Sequence, residues 1–539
     1  MPIRNVAPYL AFALCSLQGL AQQESRTPVP ETRKPAALPD STTENSVTIS
    51  GHKVAYRAVA GTITVGATDA ADATLAPDGQ LLPDVVANPT DPAKPEDAPP
   101  TARMFYAAYF KKDGTGVDAG PRPVMFFFNG GPGSATLWLH MGSFGPRRVM
   151  TPDTDHPAGA PYMLVDNKYS LLDVTDMVFI DAPGTGFSSI QGKEKEKAFW
   201  GIDGDAHAFE RFIRKFLTKY DRWNSPKYIF GESYGTPRAA VLSGLLQNVD
   251  LNGIVLLSAI LSYSNSPDSP RWNPGIDEPY ALVLPSFAAT AFYHHKLPTQ
   301  PPALVPFLHE VEAFATGEYF QALLAGATLP DEKRVAIAAK LHSYTGLAAE
   351  FWLKADLRVS GPAFSKALQD NDGLTTGRLD SRFKGPDMYR LGGEADYDPM
   401  FPAFSAAYVT AINQYLRTEL RYGKDQTYKA TIWGDPSFTW DSHHQPPGGP
   451  PANSVNTLPD LAYAMKMNPK MGVLLAGGYF DLGTPYFEGV FEMRHLPVPS
   501  ALQRNIVYKY FESGHMVYVN ESVLQQLRED LVAFLCPVK

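Results

Sequence analysis

Cysteine is scarce in this chain, with only Cys15 and Cys536 among 539 residues. Disulfide frameworks and cysteine-rich zinc sites both need several cysteines, so neither explains how the fold is held together. If the segment that carries Cys15 is removed after export, no intramolecular disulfide can form. Stability must then come from an apolar core, and 44% hydrophobic residues over this length suffice to build a large one.

Basic charge and long hydrophobic runs are also lacking. Lys and Arg number 47 against 56 Asp and Glu, the formal net charge is -9, and no run of basic residues offsets it. A nucleic-acid-binding protein needs a concentrated positive surface, so the composition argues against that class. The apolar stretch at 6–20 is interrupted by Ser16 and Gln18. It is shorter than the roughly 20 apolar residues that a membrane span requires.

The N-terminal stretch has the features of an export signal. Arg4 supplies positive charge before the apolar stretch, and Ala21 is a small residue of the kind that signal peptidase accepts at its cleavage site. We therefore predict a signal peptide at 1–21 and an exported protein, periplasmic or secreted, with no stable membrane insertion after signal removal. Residues 22–45 are rich in Pro, Thr and Glu and lack periodicity, which predicts a disordered leader.

Alternating strand and helix patterns predict an α/β fold. Residues 46–65 alternate as a β-hairpin does. Helical apolar stripes at 209–220 and 237–247 separate short apolar strands. Such alternation implies right-handed crossovers and a mostly parallel sheet with helices on both faces. The predicted strands lie at 103–110, 123–128, 176–181, 228–230, 253–261, 471–476 and 505–509.

A long segment interrupts this alternation. Residues 262–430 begin with a Pro/Ser/Asn-rich stretch and continue with helical patterns. We interpret them as a mainly helical insertion, or cap, over the carboxyl edge of the sheet, with an unrelated separate domain as the alternative. The core then has a first part at 46–261 and a second part at 431–539.

One short motif points to a nucleophile. Gly231-Glu232-Ser233-Tyr234-Gly235 matches the G-x-S-x-G pattern, a strand is predicted to end at Phe230, and a helix is predicted just beyond Gly235. A nucleophile elbow requires this setting, because a sharp strand-to-helix turn lifts the serine hydroxyl out of the sheet. Glycines on both sides permit the close backbone approach of that turn. We predict a serine hydrolase of the α/β-hydrolase type with Ser233 as nucleophile.

A serine hydroxyl needs a general base and a third group that orients the base. In α/β-hydrolases the chain order is nucleophile, acid, histidine. Asp481 follows the strand predicted at 471–476, and His515 lies in a turn between the last predicted strand and the last helix. Order and strand-end position together predict a Ser233–Asp481–His515 triad.

Acyl transfer also needs hydrogen-bond donors for the oxyanion that develops in the transition state. The backbone N–H after the nucleophile, at Tyr234, is one candidate. The second should come from a glycine-rich loop after an earlier strand, and Asn129-Gly-Gly-Pro-Gly-Ser134 follows the strand that ends at Phe128. We predict that Gly131 and Tyr234 form the oxyanion hole.

Together these motifs resemble the serine carboxypeptidases, peptidase family S10, over roughly 103–261 and 471–535. The resemblance implies the same triad and oxyanion hole, with an insertion domain over the site. It further implies hydrolysis of the C-terminal residue from peptides with a free C-terminus, without metal or cofactor. The segments that carry it are Asn129-Gly-Gly-Pro-Gly-Ser134, Asp181-Ala-Pro-Gly-Thr-Gly-Phe-Ser188, Gly231-Glu-Ser-Tyr-Gly235, the Asp481 loop and Gly514-His-Met516.

The resemblance also implies a site for the free carboxylate of the substrate. Asn129, Gly130 and Glu232 match the family's carboxylate-binding positions, but the position of its second Glu falls on Ser143. Two facing carboxyl groups share a proton and accept a carboxylate mainly at acid pH. With Ser143 at that position, we expect a pH optimum less acidic than is usual in the family.

Other hypotheses stay open on the sequence alone. Arg147 or Arg148, near Ser143 in sequence, are candidates for an additional contact with the substrate carboxylate. An esterase, an amidase or an acyltransferase would use the same triad on another substrate. A binding protein without catalysis is disfavoured, because the serine, aspartate and histidine are all intact. Neither the residue preference at the cleaved bond nor the oligomeric state can be predicted from these patterns.

Overall fold

The structure is a computed structural model that describes residues 38–82, 98–116, 118, 120 and 122–536. The signal peptide predicted at 1–21 and the leader up to residue 37 lie outside the described residues. The strands are β1 (Ser41–Ile49), β2 (His52–Gly66), β3 (Thr101–Lys111), β4 (Val124–Phe128), β5 (Arg147–Val149), β6 (Leu164–Asp166), β7 (Asp176–Ile180), β8 (Ser189–Gln191), β9 (Lys227–Glu232), β10 (Gly253–Leu257), β11 (Leu374–Thr376), β12 (Lys384–Pro386), β13 (Gly472–Gly478) and β14 (Ile506–Phe511).

Helices lie between the strands and in the insertion. They are α1 (Asp69–Asp72), α2 (Leu137–Leu139), α3 (Lys195–Phe199), α4 (Ile202–Lys219), α5 (Gly235–Leu245), α6 (Glu278–Leu282), α7 (Leu284–Tyr293), α8 (Leu304–Phe314), α9 (Phe320–Ala325), α10 (Asp331–Thr345), α11 (Ala349–Lys354), α12 (Gly361–Ala367), α13 (Met400–Thr418), α14 (Leu458–Met467), α15 (Tyr486–Arg494), α16 (Ser500–Gln503) and α17 (Glu521–Leu535). None of the helices in the described part of the chain combines the length and the apolar character that crossing a bilayer requires.

Within the described residues a ten-stranded sheet runs in the order β1-β2-β3-β7-β4-β9-β10-β13-β14, with β8 paired to β3. From β7 to β14 every neighbouring pair is parallel. The pleat sends alternate residues to opposite faces. Met125 and Phe127 of β4 lie in an apolar cluster with α13 and α17, whereas Phe126 and Phe128 lie in a second cluster with α4, α5 and α14. The prediction of a mostly parallel sheet with helices on both faces is confirmed.

The start of the sheet differs from the prediction. Residues Ser41 to Asn45, predicted as the end of the disordered leader, belong to β1 and pair antiparallel with β2 from Ala60 to Tyr56. Most of their side chains are exposed or half-buried. Backbone hydrogen bonds to β2, rather than apolar side chains, therefore hold this edge strand, and composition gives no signal of such pairing.

The segment predicted as an insertion contains an apolar cluster of its own. Helices α6 to α12 pack around one cluster, in which the rings of Phe287 and Phe364 stack with centroids 4.0 Å apart. Phe480 and Phe487, which come after β13, join this cluster and so connect it to the sheet. Helix α13 instead packs on the sheet through residues such as Phe404. The exact bounds of the insertion, predicted at 262–430, remain a prediction.

Candidate active site

Ser233 occupies a sharp turn between β9 and α5. Its φ of 61° lies in the left-handed region, which is rare for a residue with a side chain and typical of strained functional turns. The Ser233 N–H donates to the Leu257 carbonyl at 3.0 Å, and the Ser233 carbonyl accepts from the Thr236 N–H at 2.8 Å. A Cβ at Gly231 would lie 2.1 Å from the Gly235 carbonyl oxygen, so only glycine fits there. The predicted strand–turn–helix arrangement is present.

His515 and Asp481 lie at the ends of the two last strands, where the chain leaves β14 and β13. His515 Nδ1 and Asp481 Oδ2 are 2.7 Å apart, and both side chains are buried. Burial lowers the pKa of His515, but the neighbouring Asp481 carboxylate outweighs it, so the pKa is raised overall. The structure therefore joins the two residues predicted to act as base and acid.

The Asp481 carboxylate is held on both oxygens. Its Oδ1 accepts hydrogen bonds from the backbone N–H groups of Gly483 at 2.8 Å and Thr484 at 3.0 Å. Its Oδ2 accepts from the Thr484 hydroxyl at 2.6 Å as well as facing His515. These bonds fix the carboxylate so that Oδ2 points at Nδ1, which favours the imidazole tautomer with its proton on Nδ1.

The two predicted oxyanion donors lie on adjoining backbone segments. A Cβ at Gly130 would be 2.3 Å from the Tyr234 backbone nitrogen, so the loop after β4 presses directly against the start of α5. Gly131 has a φ of 115°, a conformation that favours glycine. Arg238 on α5 donates to the Asn129 carbonyl at 2.7 Å and ties the same loop to the elbow.

A single pocket collects most of the predicted residues. Its empty volume is about 680 Å³, which includes space open to solvent. Polar and apolar residues both line it. The polar or backbone-contributing ones are Asn129, Gly130, Gly131, Ser134, Glu232, Ser233, Arg378 and His515. The apolar ones are Trp138, Leu379, Met400, Phe401, Phe404, Trp433 and Met516.

Glu232 places a buried carboxyl group in this pocket. Burial raises the pKa of Glu232 to about 7, against the lowering effect of His515 and of the Tyr518 hydroxyl. The carboxyl is therefore largely protonated below neutral pH and able to donate a hydrogen bond. Asn129 lies beside it, and its side-chain oxygen accepts from the Leu139 N–H at 3.0 Å.

Arg147, Arg148 and Ser143 lie near the pocket in sequence but make their contacts elsewhere. Arg147 pairs with Glu419 at 3.0 Å, and Arg148 pairs with Glu521 at 3.3 Å, so both guanidinium groups are engaged by carboxylates that do not line the pocket. Neither Arg lines the pocket, and the hypothesis that one of them holds the substrate carboxylate stays a prediction that this geometry does not favour. Ser143 is fully buried and its hydroxyl donates to the Leu139 carbonyl of its own turn at 2.6 Å.

Sequence reasoning missed Arg378 and Tyr518. Arg378, from the insertion, lines the pocket and is paired with Asp268 through two contacts of 2.7 and 2.5 Å. Tyr518 donates to the Glu232 carboxyl. The only available signal was the position of Tyr518 three residues after His515, because Arg378 lies in a segment without a recognisable motif.

Comparison with known proteins covers part of the chain. The family model described as serine carboxypeptidase matches residues 96–252, which contain Asn129 and Ser233 but not Asp481 or His515. The carboxypeptidase Y homolog of Arthroderma benhamiae is 33% identical over 129 residues, 24% of this chain and 23% of the relative. Serine carboxypeptidase-like 28 of Arabidopsis thaliana is 27% identical over 181 residues, 30% of this chain and 37% of the relative. The chain thus spans well under half the length of these curated relatives.

One solved structure is similar over most of the chain. The prohormone-processing carboxypeptidase KEX1(delta)p from Saccharomyces cerevisiae superposes with a TM-score of 0.50 and covers 88% of this chain and 91% of its own. The sequence identity is 14%, so this similarity concerns the fold alone. The fold is that of an α/β-hydrolase.

Proposed function

We propose, from its similarity to serine carboxypeptidases over 96–252, that this chain is a serine carboxypeptidase that releases the C-terminal residue of peptides through an acyl-enzyme on Ser233. The observation that carries the proposal is that a nucleophile, a base and a buried carboxyl group line the same pocket. Ser233, the His515 that is hydrogen-bonded to Asp481, and the buried Glu232 carboxyl all meet there. Acyl transfer needs a nucleophile and a base, here Ser233 and His515. Recognition of a free chain end needs a hydrogen-bond donor, which the Glu232 carboxyl can supply.

In the proposed reaction the Ser233 Oγ attacks the carbonyl carbon of the last peptide bond. The hydroxyl proton passes to His515 Nε2, which then gives it to the departing amine, so that the C–N bond breaks and the terminal amino acid leaves. Water repeats the sequence: it gives a proton to His515, attacks the ester, and releases Ser233 and the shortened peptide. Asp481 keeps the proton of His515 on Nδ1 and stabilises the imidazolium that forms in each step.

The tetrahedral intermediates carry a negative oxygen. We propose that the backbone N–H groups of Gly131 and Tyr234 donate to it, since the close approach of Gly130 to the Tyr234 nitrogen holds the two segments together. Such donors are worth roughly 10²–10³ in turnover, because they are already aimed at the charge before it develops.

The substrate's free carboxylate is proposed to bind at Asn129, Gly130 and Glu232. A protonated Glu232 donates a hydrogen bond to that carboxylate, whereas an ionised one would repel it. The apolar residues that line the pocket, Trp138 and Trp433 among them, favour a large apolar residue next to the cleaved bond. Export of the protein, with removal of 1–21, is part of the proposal.

The proposal is tested with the purified protein and a short peptide that has an apolar C-terminal residue. Mass spectrometry should show loss of one residue, and a fluorophosphonate should label Ser233. Ser233→Ala should lower turnover by about 10⁴-fold or more. Ser225→Ala, a buried serine whose hydroxyl accepts from Arg222, provides the matched control and should leave turnover unchanged. Substantial turnover by Ser233→Ala would overturn the proposal.

The replacement of the expected second carboxyl by Ser143 favours one alternative, an esterase, amidase or acyltransferase that uses the same triad. The two functions differ in what they release. A carboxypeptidase liberates free amino acids from peptides, whereas the alternative leaves peptides intact and cleaves or transfers simple esters or amides.

A further inference from the structure

Tyr518 makes a direct contact with the Glu232 carboxyl group. Its hydroxyl donates to Glu232 Oε2 at 2.9 Å and lies 3.2 Å from Oε1. Both side chains are buried, with Tyr518 at 0% and Glu232 at 2% exposure. Burial keeps the pKa of Tyr518 well above its usual value, so the phenol remains a donor at every pH at which the fold is expected to work.

Aromatic side chains also fill the space beside the turn that carries Ser143. This turn, His140–Phe144, is π-helical, and a Cβ at Gly142 would lie 2.6 Å from the Tyr408 hydroxyl and 2.7 Å from a ring carbon of Tyr518. The Ser143 hydroxyl bonds back to Leu139 within the turn. This turn therefore brings no second carboxyl group to Glu232. The neutral hydroxyl of Tyr518, from the loop after β14, contacts the Glu232 carboxyl instead.

We infer that Tyr518 is a positioning residue that substitutes for the second carboxyl group: its hydroxyl, within hydrogen-bond distance of both Glu232 oxygens, holds this carboxyl group where it can meet the substrate carboxylate. This inference rests on the proposed function. A phenol that stays protonated cannot form the pair of carboxyl groups in which two acids share one proton. Glu232 is then the one acid of this pair of side chains that titrates in the working pH range.

The charge state of Glu232 depends on all the groups that face it. Burial is the largest influence and raises its pKa, the charge of Asp481 adds to that, and His515, Tyr518 and Asn129 lower it. Because the Tyr518 bond stabilises the ionised carboxylate, its removal should raise the pKa further. The facing groups are His515 and Tyr518 after β14, Asp481 after β13, Asn129 after β4, and Tyr408 on α13.

Tyr518→Phe removes only the hydroxyl and tests this role. The measurement is the pH profile of kcat/KM with a free-acid peptide, together with KM and kcat at pH 6. We expect the fall in kcat/KM above neutral pH to move upward by about one pH unit. KM should rise by roughly tenfold because Glu232 is less well held, while kcat is unchanged. Tyr415→Phe removes another buried hydroxyl of α13, one that faces Tyr109 and Glu419 and not Glu232, and should leave the profile where it was.

Two further variants keep the test decisive. Incorporation of 2,3-difluorotyrosine at position 518 supplies a stronger hydrogen-bond donor and should move the fall in kcat/KM to lower pH. This variant also provides a test if Tyr518→Phe does not fold. In a Glu232→Gln background the fall should vanish, and Tyr518→Phe should add no pH shift. If neither change at position 518 moves the profile of an enzyme that prefers free-acid peptides, the role of Tyr518 is refuted and the proposed function stands. If the unaltered enzyme does not discriminate free-acid from amidated peptides, the proposed function itself fails.

Discussion

Replacement of Asp481 by Asn changes one atom of the buried carboxylate and tests the proposed acid directly. The new side chain can keep its oxygen at the backbone N–H groups of Gly483 and Thr484, 2.8 and 3.0 Å from the present Oδ1. Its NH₂ group then faces His515 Nδ1, which lies 2.7 Å from the present Oδ2. Two donors cannot face each other there, so the imidazole proton moves to Nε2. In that tautomer His515 cannot accept the proton of Ser233.

The size of the loss in turnover follows from the loss of His515 as a general base. Turnover should fall by about 10⁴-fold, which corresponds to about 5 kcal/mol of transition-state stabilisation. Because Asp481 is the largest of the influences that raise the pKa of His515, the residual activity should extend to lower pH. Both quantities come from the release of the C-terminal residue measured between pH 5 and 9.

A second buried Asp–His contact provides the matched control. His444 Nε2 and Asp460 Oδ2 are 2.8 Å apart, and neither residue lines the pocket. Asp460→Asn should therefore lower stability and leave the turnover of the folded enzyme unchanged. If Asp481→Asn keeps turnover within tenfold of the unaltered enzyme, or if both variants lose it equally, the reasoning is refuted.

Three more outcomes are expected. Gly130→Ala places a Cβ 2.3 Å from the Tyr234 nitrogen and should lower turnover by about 100-fold, while circular dichroism shows a retained fold. Asp205→Ala leaves the buried Arg238, 2.6 Å from Asp205, without its counter-charge and should cost about 3–5 kcal/mol in denaturant unfolding; a cost under about 1 kcal/mol would contradict this. Burial lowers the pKa of His444, but two carboxylates outweigh it and raise the pKa to about 9. The contribution of protonated His444 to the free energy of unfolding should be complete below about pH 6.5 and lost as the pH rises through 9. In His444→Gln the free energy of unfolding should no longer fall over this pH range.

The residues that sequence alone located have local signals. Ser233 lies in a five-residue motif between a strand and a helix, and Asp481 and His515 follow apolar strands in the chain order of α/β-hydrolases. In a parallel sheet the carboxyl ends of the strands share one edge, so these positions were expected to converge. The hydrogen bond between His515 and Asp481 agrees with that expectation.

The residues that sequence did not locate depend on contacts between distant segments. Tyr518 and Glu232 are separated by 286 positions and meet only because the loop after β14 folds back over the end of β9. Arg378 reaches the pocket from the insertion, where its pairing with Asp268 spans 110 positions. Neither contact leaves a periodic pattern, because each depends on a single side chain placed by the tertiary fold.

The central claim is that the pocket recognises a free chain end, and one comparison tests it most directly. A peptide with an apolar C-terminal residue is offered at pH 6 as the free acid and as the C-terminal amide, and kcat/KM is measured for each. We predict loss of one residue from the free acid, with the amide at least about tenfold slower, and a ratio near one in Glu232→Ala, which removes the donor. Equal rates for both peptides in the unaltered enzyme, or ester hydrolysis without any release of the terminal residue, would contradict the claim.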